Sequence, residues 1–117
     1  MKLSRLVVVL VITGAGFAVA GEALKDQIKF GNEAARQNLW AEARFRWEKV
    51  LTADPGNGVA HNNLGVALER EGKIEEAVEH YRLAVKALSD NEYARKNLQR
   101  CEELLKTARG TKEGSKP

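Results

Sequence analysis

The feature that most constrains the fold is an internal repeat with a fixed offset, in which residue i corresponds to residue i+34. Such an offset is typical of stacked-repeat proteins, whose units of about 20–50 residues each pack only against their neighbours. Apolar positions recur at the same offset as the identical residues, so the repeat extends to the packing surfaces. The identical pairs are Gly31 and Gly65, Arg36 and Arg70, Glu42 and Glu76, Ala43 and Ala77, Ala53 and Ala87, and Asn57 and Asn91.

Each copy of the repeat has the pattern of two helices joined by a short turn. Asn38 and Gly72 are the equivalent turn residues, and both residue types tolerate a positive φ angle. The tripeptide Asp54-Pro55-Gly56 ends the first copy. The chain is therefore expected to be all-α, a short α-solenoid of two helical hairpins. Helical patterns cover about residues 22–37 and 40–51 in the first copy, and about 61–68 and 74–88 in the second.

Gly31 and Gly65 lie inside predicted helices, where a glycine costs roughly 1 kcal/mol relative to alanine. Two such glycines at equivalent positions indicate that the first helix of each hairpin approaches the second closely. The small residues expected to face them are Ala43 and Ala77, and the rings expected to fill the space one turn further on are Trp47 and Tyr81.

A third, partial copy follows the second hairpin. Residues Asp90 to Arg109 predict one more helix, with Asp90 as its N-cap and Gly110 as its end. Its apolar stripe would face the preceding hairpin, and its polar outer face would end the stack in solvent. The single cysteine lies in this stripe and is interpreted as a small buried hydrophobe rather than a reactive thiol. The stripe consists of Ala94, Leu98, Cys101, Leu105 and Ala108.

The N-terminal segment, residues 1–20, has the pattern of a secretory signal peptide. A cationic start is followed by a largely apolar run from Leu6 to Ala20, and Ala18-Val19-Ala20 gives a small-x-small motif before Gly21. A retained membrane anchor is the alternative, although the run is shorter than the about 20 residues that span a bilayer. We therefore expect a periplasmic or secreted protein, typical of a bacterial envelope. The expected divisions are a signal peptide or anchor (1–20), a repeat domain (21–109) and a disordered basic tail (110–117).

The charge pattern argues against nucleic acid as a partner. The formal net charge is +3, but Lys2 and Arg5 belong to the predicted signal, and the repeat region is close to neutral. Acidic and basic residues alternate along its helices, whereas nucleic-acid binding normally shows a basic face with stacking aromatic residues.

These features resemble the tetratricopeptide repeat family, whose 34-residue helix–turn–helix unit reads W-x2-L-G-x2-Y, then A-x3-F, A-x2 and a late P. The tryptophan position holds Gln27 and His61, and Ser89 replaces the late proline in the second copy, so these positions depart from the pattern. The resemblance covers about residues 24–109 and implies two hairpins plus a C-terminal capping helix. The structural repeat positions are Gly31, Ala43, Trp47 and Pro55 in the first copy and Gly65, Ala77 and Tyr81 in the second.

The resemblance also implies a binding surface, because the first helices of successive repeats line a concave groove in this family. That groove holds peptides or partner helices, and Asn32 and Asn63 occupy positions that often hydrogen-bond a ligand backbone. Members that bind a C-terminal carboxylate carry basic residues where this chain has Ile28, Tyr93 and Asn97, so that ligand class is disfavoured. The groove residues implied by the register are Asn32, Arg36, Asn62, Asn63, Val66, Arg70, Tyr93 and Lys96.

The sequence offers no constellation typical of an enzyme. The candidate nucleophiles beyond the N-terminal segment are Thr52, Ser89 and Thr107. They lie at turns or helix ends, with no histidine nearby in sequence. Glu76 and His80 could present two metal ligands on one helix face, but a solvated pair is the simpler interpretation. We therefore expect no catalysis, no metal, no cofactor and no small-molecule substrate.

Two functions remain open at this stage. The first is an exported protein–protein interaction module that binds a peptide or helix of a partner in its concave groove. The alternative is a structural subunit that homo-oligomerises or docks permanently into an envelope assembly. Repeat arrays usually need about three repeats for stability, and this chain offers two plus a cap.

Overall fold

The structure, a computed structural model, describes residues 15–114, with side chains described from Gly21 onward. This part of the chain is helical and contains no β-strand, which confirms the predicted all-α class. The helices pack in chain order, each against the next, as expected for a short solenoid. They are α1 (Ala15–Arg36), α2 (Trp40–Ala53), α3 (Gly58–Arg70), α4 (Ile74–Ala87) and α5 (Glu92–Gly114).

The turns within the two hairpins have the same geometry. Asn38 and Gly72 adopt φ angles of 61° and 77°, the left-handed conformation predicted for both. The amide of Leu39 donates to the carbonyl of Ala34 at 2.9 Å, and the amide of Lys73 donates to that of Leu68 at 2.9 Å. These equivalent hydrogen bonds satisfy the last carbonyls of α1 and α3, so both hairpins reverse direction in the same way.

The N-caps of α3 and α5 are asparagines at equivalent repeat positions. The Asn57 side chain accepts from the amide of Ala60 at 2.9 Å, and the Asn91 side chain accepts from that of Ala94 at 3.0 Å. The expected cap at Asp90 was therefore wrong by one residue, because the repeat register places Asn91 where Asn57 begins α3. The corresponding position of the first copy is Ala23, which lies inside α1 and cannot cap a helix with its side chain.

Both outer helices are longer than predicted. Helix α1 begins at Ala15 rather than near residue 22, because Ala23 offers no capping side chain to interrupt it. Helix α5 passes Gly110 and reaches Gly114, where the Thr111 hydroxyl donates to the carbonyl of Thr107 at 3.2 Å. Residues 110–114 are thus helical, not disordered. The predicted signal sequence lies largely outside the described residues, as do residues 115–117 of the predicted tail.

The core consists of two clusters that share α3. One joins α1, α2 and α3 around Trp47, and the other joins α3, α4 and α5 around Tyr81. Cys101 is fully buried in the second cluster, as predicted, whereas Ala108 at the end of the predicted stripe is exposed. Helix α5 therefore covers the second hairpin with the residues around Ala94, Leu98 and Cys101.

The two helical glycines lie directly under the aromatic rings. A Cβ added at Gly31 would come within 2.8 Å of Trp47 Cδ1, and one at Gly65 would come within 2.7 Å of Tyr81 Cδ1. Close packing at the glycines was predicted, with the ring one turn away. The ring itself occupies the space that a side chain would need, because Ala43 and Ala77 leave it free to lie against the first helix.

Candidate functional site

The predicted groove residues lie on α1, α3 and α5, the first helices of the two complete repeats and of the partial third. Asn32 and Arg36 belong to α1, and Tyr93 and Lys96 belong to α5. The central helix α3 provides the remaining four, so its side chains can meet those of both neighbours. The α3 residues are Asn62, Asn63, Val66 and Arg70.

Two asparagine pairs connect the three helices. Asn63 Nδ2 donates to Asn32 Oδ1 at 2.9 Å between α3 and α1. Asn97 Nδ2 donates to Asn62 Oδ1 at 3.1 Å between α5 and α3. The structure thus brings together residues that are distant in sequence. Each pair uses one donor and one acceptor, so Asn32 Nδ2 and Asn63 Oδ1 keep hydrogen-bonding capacity of their own.

A polar network occupies the half of the groove between α3 and α5. The Tyr81 hydroxyl donates to Glu69 Oε2 at 2.9 Å, and Arg100 donates to both carboxylate oxygens at 3.1 and 2.7 Å. Arg100 also donates to Asn97 Oδ1 at 3.1 Å, which links the network to the asparagine pair. These hydrogen bonds to Glu69 hold the Arg100 side chain of α5 against α3.

The electrostatics of this network keep Glu69 charged. Burial disfavours its carboxylate form, but hydrogen bonds from Arg100 and Tyr81 outweigh burial and hold the pKa of Glu69 below its usual value. Burial, together with the hydrogen bond to Glu69, raises the pKa of Tyr81 far above its usual value. Burial also raises the pKa of the Cys101 thiol to about 11, so this cysteine stays protonated and unreactive at neutral pH.

The half of the groove between α1 and α3 has a different character. At the repeat positions of Glu69 and Arg100, this half has Ala35 and Val66, which are partly buried apolar residues. Ile28 also packs against the first core cluster. This half therefore offers an apolar surface beside the Asn32–Asn63 pair, whereas the other half is filled by charged groups that bind each other.

The cationic groove residues differ in the partners of their charged groups. Arg36 is paired with Glu33 at 2.6 Å, and Lys96 is paired with Glu92 at 2.7 Å, both on exposed helix faces. The guanidinium of Arg70 lies 4.3 Å from the centroid of the Trp40 ring, and no salt bridge to it occurs within residues 21–114. Stacking on an aromatic face fixes a guanidinium without neutralising it, so Arg70 remains available to an anionic or carbonyl group.

Tyr93 is the most exposed large apolar side chain of the described groove, with 79% of its surface accessible. It lies in the first turn of α5, at the end of the groove opposite α1. An exposed aromatic ring at the rim of a groove offers contact area to a bound segment at little cost in side-chain entropy.

A histidine pair on the other side of α3 was missed by sequence reasoning. His61 Nδ1 and His80 Nδ1 lie 2.9 Å apart, and His61 Nε2 lies 2.8 Å from the carbonyl oxygen of Pro55. The signal was present in the repeat register, because His61 and His80 correspond to Gln27 and Arg46. Arg46 Nη1 also donates to Gln27 Oε1, at 3.3 Å.

His80 borders a cavity of about 340 Å³ between the hairpins. Glu76 borders the same cavity, but no group of three metal-ligating side chains occurs within the described residues. Arg44 bridges this region, donating to both oxygens of Glu71 at 2.7 and 2.9 Å and to Glu48 at 3.3 Å. The cavity floor is apolar, formed by Leu51, Leu64 and Leu68.

Between Ala15 and Gly114, no helix combines the length and the apolar character needed to cross a bilayer.

Comparison with known proteins identifies the repeat independently. The family model described as "Tetratricopeptide repeat" matches residues 28–92, more than half of the chain. The chain is also 32% identical, over 89 residues, to the mouse protein "Sperm-associated antigen 1". That match covers 74% of this chain but only 10% of the relative, so the chain spans about a tenth of the length of that protein.

Proposed function

We propose that this chain, which belongs to the tetratricopeptide repeat family, is a protein–protein interaction module whose concave groove binds an extended segment of another protein. The observation that carries the proposal is the exposed Asn32–Asn63 pair. One amide of the pair keeps a free N–H and the other a free oxygen, the two groups that a peptide backbone needs. We infer no catalytic step, because recognition of this kind requires only positioned donors, acceptors and apolar surface.

The two halves of the groove favour different parts of a ligand. Beside the asparagine pair, the apolar surface of Ile28 and Ala35 suits an aliphatic side chain. Arg70 at the same end suits an acidic side chain or a backbone carbonyl. Between α3 and α5, Glu69 already binds Tyr81 and Arg100, so we expect that half to contact the ligand mainly through Tyr93.

Selection of a random peptide library displayed on phage against the full chain tests this proposal. The Asn32→Ala/Asn63→Ala variant is expected to weaken binding of the selected peptides about tenfold, roughly the effect of one or two lost hydrogen bonds. Arg82→Ala is the matched control, because Arg82 is exposed on α4, outside the groove. Equal affinities for the wild type and the asparagine variant would overturn the proposal.

We also propose that the module acts after export, in a periplasm or outside the cell. The support is the sequence pattern of residues 1–20, with its cationic start, apolar run and small-x-small motif. A mature N-terminus at Gly21, read by N-terminal sequencing of the exported protein, is the expected result. Unprocessed protein in the membrane fraction would instead support the alternative, a module tethered by residues 6–20.

A second function, self-association as part of an envelope assembly, is favoured by the apolar edge of the first hairpin. Phe30 and Phe45 are each about half exposed on that edge, with the Arg46 guanidinium 5.8 and 5.9 Å from their ring centroids. The repeat equivalent of Phe30 is Leu64, which is buried against the first hairpin. Size-exclusion chromatography with light scattering separates the two functions: a monomer supports the groove, and an obligate oligomer supports assembly.

A further inference from the structure

The hydrogen bonds of the histidine pair determine where its protons lie. The carbonyl oxygen of Pro55 can only accept, so His61 Nε2 carries a proton and donates it. Neutral His61 then has a lone pair on Nδ1, and His80 Nδ1–H donates to it across 2.9 Å. His80 Nε2 is left as the one basic nitrogen of the pair that neither hydrogen bond uses.

The pair therefore accepts one proton without losing a hydrogen bond, but not two. A first proton on His80 Nε2 leaves both hydrogen bonds intact. A second proton would have to bind His61 Nδ1, which would place two N–H donors and two positive charges against each other at 2.9 Å. His61 is only 7% exposed, so a positive charge on its ring would be buried without contact to solvent.

We propose that the His61–His80 pair is an acid-operated latch within the second hairpin, between α3 and α4. With no more than one proton, the latch holds α3 against α4 and ties the turn around Pro55 to α3. With two protons, the hydrogen bond between the rings breaks and His61 leaves its buried position. Because Asn62 and Asn63 follow His61 directly on α3, release would also displace the middle of the groove, a consequence that rests on the proposed function.

The charged groups around the pair set the pH range in which the latch opens. Burial, and to a lesser extent the neighbouring His61, lower the pKa of His80, while Glu76 and Glu48 partly offset these effects and Arg44 adds to them. His80 therefore binds its proton at a lower pH in the folded chain than in the unfolded one, where a histidine titrates near a pH of about 6.5. The charged and titratable groups around the pair are Arg44 and Glu48 on α2, His61 on α3, and Glu76 and Lys86 on α4.

The latch predicts that folding weakens as the pH falls through this range. The folding equilibrium constant decreases about tenfold per pH unit for each proton that the unfolded chain binds in excess. We expect urea unfolding of the full chain, measured between pH 8 and pH 5, to give a folding equilibrium constant that does not change above pH 7. Below pH 6.5 a decrease between tenfold and a hundredfold per pH unit is expected. Histidine is the side chain whose ordinary pKa lies in this window, so the two histidines of the chain dominate the expected change.

The first hairpin supplies the matched control. The variant His61→Gln/His80→Arg copies the Gln27–Arg46 pair at the same repeat positions, which keeps a hydrogen bond without a group that titrates near pH 6. Its folding equilibrium constant is expected to change less than about threefold between pH 7 and pH 5. His80→Gln provides a milder second variant, which should show about half of the wild-type dependence on a logarithmic scale.

Imidazole ¹⁵N NMR of the full chain supplies a readout that does not depend on unfolding. We expect His80 Nδ1 to remain protonated, and His61 Nδ1 unprotonated, from pH 8 to the onset of opening. Two histidines that titrate independently near pH 6.5 with the Pro55 turn intact would overturn the proposal. So would a wild-type pH dependence equal to that of the His61→Gln/His80→Arg variant.

Discussion

The two hairpins share the length of their second helix, their turn geometry and their helical glycine, but they differ in whether the polar atom of the central ring has a hydrogen-bond partner. In the second hairpin, the Tyr81 hydroxyl over Gly65 donates to Glu69. In the first, the Nε1–H group of Trp47 over Gly31 is buried and has no hydrogen-bond partner among the described residues. Leaving a buried donor unpaired costs about 1–3 kcal/mol, so the second hairpin is the better satisfied of the two.

The difference follows from two residues at equivalent positions. In the second hairpin, Glu69 accepts hydrogen bonds from the Tyr81 hydroxyl and from Arg100. In the first hairpin, the positions equivalent to Glu69 and Arg100 hold Ala35 and Val66. The comparison shows that a repeat conserves shape more strictly than polarity. The glycine and the ring fit each other in both copies. The hydrogen-bond partners of the ring, in contrast, are replaced by apolar residues in the first copy.

The largest expected effect comes from filling the space above a glycine. Gly65→Leu is expected to lower the unfolding free energy by about 3 kcal/mol or more, because its side chain would collide with the Tyr81 ring. Gly31→Leu should cost less, because no hydrogen bond holds the Trp47 ring in place. Urea unfolding followed by circular dichroism measures both.

Gly110→Ala is the control for these glycine variants. Gly110 lies in an exposed part of α5, and nothing lies within 4 Å of an added Cβ, so this change should stabilise the chain by about 0.5–1 kcal/mol. A Gly65→Leu variant that melts as cooperatively as the wild type, at the same temperature, would refute the packing of ring against glycine.

The next largest effect is expected from the network around Glu69. Glu69→Ala makes the second hairpin resemble the first at this position, and it leaves the Tyr81 hydroxyl and Arg100 without their shared acceptor. We expect a loss of about 1–3 kcal/mol, measured by urea unfolding at pH 7. In the Glu69→Ala background, Tyr81→Phe should cost little more, giving a coupling energy of about 1 kcal/mol in a double-mutant cycle. Additive losses would mean that the two groups do not interact.

Substitution of the two N-cap asparagines tests whether α3 and α5 are capped in the same way. Asn57→Ala and Asn91→Ala are each expected to lower the unfolding free energy by about 1 kcal/mol, because each removes a side-chain acceptor from a helix N-terminus. Asp90→Ala should have no comparable effect. If Asp90→Ala proved as damaging as Asn91→Ala in thermal melts, the assignment of the cap would be wrong.

The smallest effect on stability is expected at the exposed end of the groove. Tyr93→Ser should change the unfolding free energy by less than about 0.5 kcal/mol, because most of the ring is already in solvent. The same variant should weaken binding of selected peptides several-fold, measured by fluorescence anisotropy. Unchanged peptide affinity would place the binding surface elsewhere.

Sequence reasoning was most accurate where one residue type is required at one position. Asn38 and Gly72 were predicted as the turn residues because few residues tolerate a positive φ angle, and both have it. It was less accurate at the ends of the outer helices, where Ala23 and Gly110 do not stop the chain from staying helical. Helix ends depend on capping interactions of a few tenths to about 1 kcal/mol, which neighbouring structure easily overrides.

The groove and the histidine pair mark the limit of prediction from this sequence. The repeat register placed Asn32 and Asn63 on the first helices of their hairpins, but it did not show that they bond to each other. His61 and His80 are 19 residues apart, and their contact became visible only when α3 and α4 were packed. Peptide binding itself remains a prediction, which the selection experiment tests.

The sequence alone determined the internal repeat, the helical hairpins and the close helix packing at the two glycines, because local conformation and apolar periodicity depend on residues near each other. Only the tertiary structure decided which polar atoms have partners. Glu69 meets Arg100 at 2.7 Å across 31 residues of chain, while Trp47 Nε1 meets none in residues 21–114. Hydrogen bonds act over about 3 Å, so they depend on the docking of whole helices and cannot be read from spacing along the chain.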